Sequence, residues 1–510
     1  MDNTKKTVKN SLLSVIAQVI TLLLSFVNRR VFVHFLDIEY LGYQSLFSNV
    51  FLLLSVAELG IGNIITFHLY KEIVDDNKEE IGRLLYLYKW VYRIVAVLVF
   101  ITGLLLSLFL KSFVKDATSD WDYLYLVYFL QLSGVVLGYF LSYKRALFIV
   151  SQQEYKCVQT DLYVNSAIQA VQLVFLALFH NYIVYLCLQI SVNLISNIII
   201  SYRCNKEYPF VKKKYELTKE YIQSLNFFRD IRDFLFHRVA YSVYGGTDNI
   251  IISAFLGVRY VGLYGNYIMV KTGVLELLCY KLLNPVQATI GNIVYGNRTK
   301  EELWNQFKVF DVFSFFFASY IGVGFLVFYQ PFIQLWMGEE YLLPDSFVFL
   351  FSITIYLGTV WEIVFKYRNV FGDYKQDRNY MILSAILNIC ISIPGAKYYG
   401  IAGIQFGTLV AYLPIGIGRI RFVVKNFMGQ SMSRYLLKHL VLLIIAVGEM
   451  ALCFSICRVF QICVLGLIER FAVWLLLPLT INVLLFCRNP YFHSLVQYLK
   501  RGLGYILKRQ

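Results

Sequence analysis

Charge is scarce in this chain. Only 15% of its 510 residues are Asp, Glu, Lys or Arg, against roughly 25% in an ordinary soluble domain, and so small a polar fraction excludes a water-soluble enzyme. Histidines are few. The 6 present are scattered, with no HExxH sequence and no metal-ligand spacing, which leaves no zinc-hydrolase signature. The 9 cysteines lie mostly inside apolar runs and form no CxxC pair, so neither a disulfide framework nor a zinc framework is expected. A Walker-like sequence is also missing. The run from Gly291 to Thr299 imitates one but has Asn297 where a phosphate-binding lysine belongs and follows a helix, so direct ATP use is not expected.

What is abundant is apolar surface. Hydrophobic residues make up 58% of the chain, more than one or two soluble cores can bury, because cores stop growing at about 250 to 300 residues. The surplus must face lipid. Segments of about 20 mainly apolar residues recur along the chain, and the sequence reads as an all-α polytopic membrane protein with about fourteen spans. They run from 12–35 to 464–485, with a close pair at 381–398 and 401–417 around Pro394. The basic amino terminus leads into a long apolar run without a cleavage pattern, which reads as a retained first span.

The net charge of +15 is largely a topology signal. With the amino terminus inside, only Lys111, Lys115, Arg259, Lys397 and Arg458 fall on outside loops. Arg29, Arg30, Lys271, Lys281 and Arg470 fall within spans, and nearly all the rest lie inside, as the positive-inside rule requires. Both termini are therefore expected in the cytoplasm, and no nucleic-acid partner is needed. The longest polar segment, 203–233, carries Lys212, Lys213, Lys214, Lys219, Arg229 and Arg232. It reads as a basic linker between halves, with a surface helix built on Tyr221, Leu225 and Phe228 as the alternative.

A duplication is visible across that linker. Residues 31–42 lie over 251–262, with Phe35, Leu36, Tyr40 and Gly42 matching Phe255, Leu256, Tyr260 and Gly262. Both copies exit on the same side, so the repeats are parallel. The expected organisation is two pseudo-symmetric six-helix bundles, 1–203 and 236–425, joined by a linker at 204–235, with two further helices and a tail in 426–510.

Ionisable groups inside spans are functional candidates, since each opposes insertion by about 2.5 to 3.5 kcal/mol. Arg29 and Arg30 sit two thirds of the way along the first span and lie about 100° apart on a helix, so at least one can face the bundle interior. Snorkelling to headgroups, or neutralising Glu58 in the second span, are the structural alternatives. Asp248 falls on Asn28 in the repeat alignment, and Lys271 and Glu276 add charge to the eighth span. Glu58, Asp248 and Glu276 are candidates for coupling a proton or sodium ion, or for structural ion pairs. Asp120 and Asp122 imitate the acidic pair of a lipid-sugar transferase, but a solvated loop explains them better. Gly60, Gly62, Gly416 and Gly418 suit close helix packing.

Several runs then resemble a known family. Asn28-Arg-Arg-Val-Phe-Val, Tyr40 to Asn49, Leu54-Ser-Val-Ala-Glu-Leu-Gly-Ile-Gly-Asn63, His68-Leu-Tyr-Lys71, Thr247 to Ser253, Val261 to Tyr267 and Phe332-Ile-Gln-Leu-Trp-Met-Gly338 resemble bacterial polysaccharide repeat-unit flippases. These belong to the multidrug/oligosaccharidyl-lipid/polysaccharide exporter superfamily. The resemblance implies a non-enzymatic transporter that moves undecaprenyl-pyrophosphate-linked oligosaccharides to the outer leaflet of the bacterial cytoplasmic membrane by alternating access, for capsule, exopolysaccharide or O-antigen assembly. It implies a pyrophosphate-binding role for Arg29 and Arg30, with Asn28 beside them. Lys271 is added on charge alone. The expected partners are the lipid-linked substrate, membrane lipids and polysaccharide assembly proteins, with no cofactor beyond a coupling H+ or Na+. A multidrug or cation antiporter, and a membrane polymerase or lipid-sugar transferase, are the alternatives.

Overall fold

A computed structural model describes residues 2–54, 66, 68–73, 75–115, 120–224, 246–296, 299–371 and 377–507. The described residues form helices and connecting turns, with no strand among them. Nine helices among them are long and apolar enough to cross a bilayer. The chain divides into two compact units, Met1–Gly265 and Asn266–Gln510.

The first unit contains α1 (Asp2–Phe35), α2 (Ile38–Leu54), α3 (Lys78–Ser107), α4 (Trp121–Ser142), α5 (Tyr155–Phe179), α6 (Tyr182–Glu207) and α7 (246–256). Local chemistry sets their ends. The Asn77 side chain accepts from the Glu80 N–H and, with Glu79 and Glu80 in the first turn, opposes the helix dipole of α3. Asn181 accepts from the N–H groups of Ile183 and Val184 to start α6, directly after His180 closes α5 in a left-handed conformation. Along α3, Ile94, Val97, Leu98, Ile101 and Leu105 are exposed, a continuous apolar face that suits lipid.

The repeat reappears in the element boundaries. α2 begins at Ile38, and α8 (Val258–Leu275) begins at the aligned Val258. The two starts pack reciprocally. Gly42 presses on the Val258 backbone, and the aligned Gly262 presses on the Ile38 backbone, with no room for a side chain at either.

The second unit contains α9 (Leu282–Val294), α10 (Lys300–Trp336), α11 (Asp345–Val360), α12 (Glu362–Phe371), α13 (Arg378–Ile420), α14 (Met432–Cys457), α15 (Val464–Phe486) and α16 (Pro490–Leu507). α10 opens on a capping box between Thr299 and Glu302. At 43 residues, α13 would be roughly 65 Å long if straight, twice the bilayer core. It is not straight. Gly400, at φ 59° and ψ −141°, turns the chain back on itself. Asn388 then reaches Thr408 at 3.3 Å and the Ser392 hydroxyl reaches the Ile404 carbonyl at 3.3 Å, while Gly395 and Gly403 abut backbone to backbone. The segment is thus an antiparallel helical hairpin, which matches the close pair of spans expected around Pro394.

The tail after α15 is a helix, α16, laid on α10 through Lys308 to Tyr491, Gln306 to Tyr498 at 3.2 Å and stacked Phe316 and Phe492 rings. Tyr221, part of the surface helix considered as the alternative to a linker, donates to the Glu80 carboxylate at 2.5 Å and lies under the Arg83 guanidinium. Leu225 and Phe228 lie outside the described residues, as do Glu58 and the remainder of 55–65.

Candidate functional site

Along α1, successive residues diverge in surroundings because a helix turns about 100° per residue. Asn28 is buried at 5% exposure. Its amide donates to Gln172 at 3.5 Å and accepts from the Tyr185 hydroxyl at 3.2 Å, while Gln172 donates to the Tyr185 carbonyl at 3.1 Å. This triad joins α1, α5 and α6. Inside a membrane such a set satisfies groups that lipid cannot, and it holds the α1 register that aims the next two residues.

Arg29 is half-buried. Its guanidinium donates to the Gly262 carbonyl at 3.1 Å and lies beside Gly265, where an added Cβ would come within 2.9 Å of Nη2. The glycines of α8 therefore make the space that admits the cation. A guanidinium carries five donors in a rigid fork. Arg30 is exposed on the adjoining face of α1. Asp248 is half-buried in α7. The first unit is also rich in tyrosine: Tyr40 packs on Tyr182 at 4.8 Å, on Tyr123 at 6.1 Å and on Tyr43 at 6.4 Å. Gln44 donates to Gln189 at 2.7 Å.

The other candidates belong to the second unit. Lys271 and Glu276 are both half-buried, and Glu276 opens a π-helical turn, Glu276–Lys281, a type of irregularity that concentrates at functional positions. The Lys271 ammonium lies 5.1 Å over the Phe351 ring. One turn earlier, Tyr267 donates to Gln330 at 2.6 Å and accepts from the Leu343 N–H at 3.0 Å. Lys271 thus projects from a helix that hydrogen bonds fix in place.

Two buried acidic clusters in the second unit were not among the candidates read from sequence. Asp311, 1% exposed, accepts from Tyr435 at 2.7 Å, Lys438 at 2.5 Å and His439 at 3.1 Å. Tyr435, Lys438 and His439 follow the i, i+3, i+4 spacing of one helix face, the signal that points to a buried anion opposite. Glu449, 2% exposed, bonds to Ser319, which also accepts from Asn482 at 3.4 Å. Arg470 is likewise structural. It donates to the carbonyls of Gln461, Gly466 and Phe460 and clamps the turn before α15. Asp120 and Asp122 are exposed at the start of α4, which fits a solvated helix end.

A family model described as "Polysaccharide biosynthesis protein" matches residues 7–280. No curated protein matches the chain. Among solved structures, a lipid II flippase, MurJ, in an inward closed conformation is similar with a TM-score of 0.69 at 14% identity, over 94% of this chain and 99% of that one. An inward-facing multidrug resistance transporter of the MATE family in the MOP superfamily gives 0.60 at 14% identity, over 81% and 98%. The Vibrio cholerae MATE transporter VcmN in its bent form gives 0.53 at 12% identity, over 88% and 98%. At these identities the likeness establishes a shared all-α transporter fold.

Proposed function

Because the chain belongs to the polysaccharide biosynthesis protein family and has the fold of membrane transporters, we propose that it is a flippase for lipid-linked oligosaccharides. It carries undecaprenyl-pyrophosphate-linked repeat units from the inner to the outer leaflet of the cytoplasmic membrane, by alternating access, for surface polysaccharide assembly. Both termini lie in the cytoplasm in this reading.

The observation that carries it is Arg29. A half-buried guanidinium on α1 is anchored to the Gly262 carbonyl at 3.1 Å, and a guanidinium presents the fork of donors that suits a pair of phosphate oxygens. Arg30 supplies further positive charge for the pyrophosphate, Lys271 is the substrate-binding candidate of the second unit, and the tyrosines offer faces and hydroxyls to the sugars. Glu58, Asp248 and Glu276 are the acids available to couple a proton or sodium ion. An export site for cationic drugs would need the opposite charge, so the antiporter reading, which shares the fold, is the weaker one.

Arg29→Ala is expected to lower surface polysaccharide roughly ten-fold or more at unchanged membrane abundance. That is the scale of one lost charge-assisted hydrogen bond, about 1.5 to 3 kcal/mol. Arg29→Lys keeps the charge but not the fork, and should fall between the two. Immunoblotting of polymer against protein level in a complementation strain reads both. Normal polymer from Arg29→Ala and Arg30→Ala alike would remove the role given to these cations.

A further inference from the structure

A second basic site lies in the first unit, apart from Arg29 and Arg30. Helix α3 near its start, the turn after α4, the end of α6 and the short 3-10 segment Pro209–Lys212 enclose a cavity of about 230 Å³. Lys89, Lys144, Lys212, Lys213 and Lys214 line it, together with Tyr86, Tyr143 and Asn205. No acidic residue lines it. Three acids near it in the chain are committed elsewhere: Glu207 pairs with Lys156, and Glu79 and Glu80 pair with Arg83. No ion pair among the described residues involves any of the five lysines.

Five lysines around one cavity whose lining holds no acid give it a positive potential that attracts an anion. The site is also built and not merely a charged surface. Lys144 is buried at 8% exposure, and its ammonium is held by Ser201 and Asn205, each at 2.8 Å. Because the Asn205 carbonyl oxygen accepts from Lys144, its NH2 group is left to donate. Burial, together with the positive charge of Lys89 and Lys212, holds the Lys144 ammonium below its ordinary pKa, and a bound anion would relieve that.

The cavity sits at the edge of the lipid-facing surface. Trp90, the residue after Lys89, is exposed and begins the apolar face that continues through Ile94, Val97, Leu98, Ile101 and Leu105. An exposed tryptophan at the head of such a face marks the headgroup level. The size also fits. A cavity of about 230 Å³ holds several water volumes of roughly 30 Å³ each, enough for a phosphate or pyrophosphate group.

We propose that this five-lysine cavity is a binding site for a phosphate-bearing anion at the membrane surface, distinct from the position of Arg29 and Arg30. The same chemistry has two sources, the headgroup of an anionic phospholipid and a soluble phosphate or pyrophosphate. Lysine suits either, as a point charge with three donors. The site stands whether or not the flippase reading holds.

The test uses the full chain and the triple substitution Lys212→Gln, Lys213→Gln, Lys214→Gln, all exposed positions whose change spares the fold. Inorganic pyrophosphate is titrated calorimetrically into detergent-purified protein, and native mass spectrometry reads phosphatidylglycerol retained from nanodiscs of defined composition. Saturable pyrophosphate binding that weakens at least about ten-fold in the triple variant, and further with salt, supports a soluble ligand. Phosphatidylglycerol retained by the parent protein and lost by the variant, without pyrophosphate binding, supports a lipid headgroup. Absence of both, or binding of either that is equal in parent and variant, overturns the site. The fraction of binding that the triple variant loses should persist in Arg29→Ala, which can remove only binding at its own position, so a failed transport assay and a failed binding assay are separable.

Discussion

Asp311→Ala is expected to destabilise the second unit by about 3 to 5 kcal/mol, the usual consequence of removing one partner from a buried charge cluster. For a unit of this size that corresponds to a fall in melting temperature of roughly 10 °C. The loss comes from what the carboxylate leaves behind. His439 is 6% exposed at its side chain, and Tyr435 is 4% exposed, so neither finds water when Asp311 is gone. Lys438, with its side chain 38% exposed, can swing outward and contributes less. Asp311→Asn keeps an acceptor for the Tyr435 hydroxyl and is expected to cost less than alanine. The double variant Asp311→Leu, His439→Leu removes the carboxylate and the imidazole together, leaving only the Tyr435 hydroxyl buried, and should recover part of the stability. Thermal unfolding of the detergent-solubilised protein measures all three. A melting temperature within roughly 2 °C of the parent for Asp311→Ala would show that the cluster is not holding α14 to α10.

The sequence disclosed most where the physics is local. The hairpin at 381–417 was readable because two apolar runs flank a short break at Tyr399 and Gly400, and a chain in lipid must satisfy its backbone by remaining helical up to the turn. The repeat was readable because it places Gly42 and Gly262 at the same position in both copies, where close backbone packing excludes any other residue. Roles set by distant partners were not readable. Asn28 was legible as a neighbour of Arg29, but its partners Gln172 and Tyr185, 144 and 157 residues away, were not. Asp311 lies in a phenylalanine-rich run, and its partners come 124 to 128 residues later. Lys212, Lys213 and Lys214 read as linker charge because Lys89 and Lys144, which complete their cavity, belong to other helices.

The glycine pair leads to the second large effect. Gly42→Val and Gly262→Val are each expected to abolish polymer export, to less than about a tenth of normal, although each replaces a single hydrogen with three carbons. At both positions the nearest atoms are a backbone carbonyl and the β-branched side chain that begins the aligned helix, Val258 opposite Gly42 and Ile38 opposite Gly262. A flexible side chain could move aside, but a carbonyl within a helix cannot without breaking its own hydrogen bond. The starts of α2 and α8 would therefore have to separate, and overpacking of this kind costs about 1 to 3 kcal/mol or more. Separation would also move the Gly262 carbonyl, which holds Arg29 at 3.1 Å. A disturbance at Gly262 is thus expected to reach Arg29 directly, while one at Gly42 reaches it only through the packing. Gly262→Ala should accordingly impair export more than Gly42→Ala at equal membrane abundance. Equal export from the two alanine variants, read by the same immunoblot, would show that Arg29 does not depend on the α8 backbone for its position.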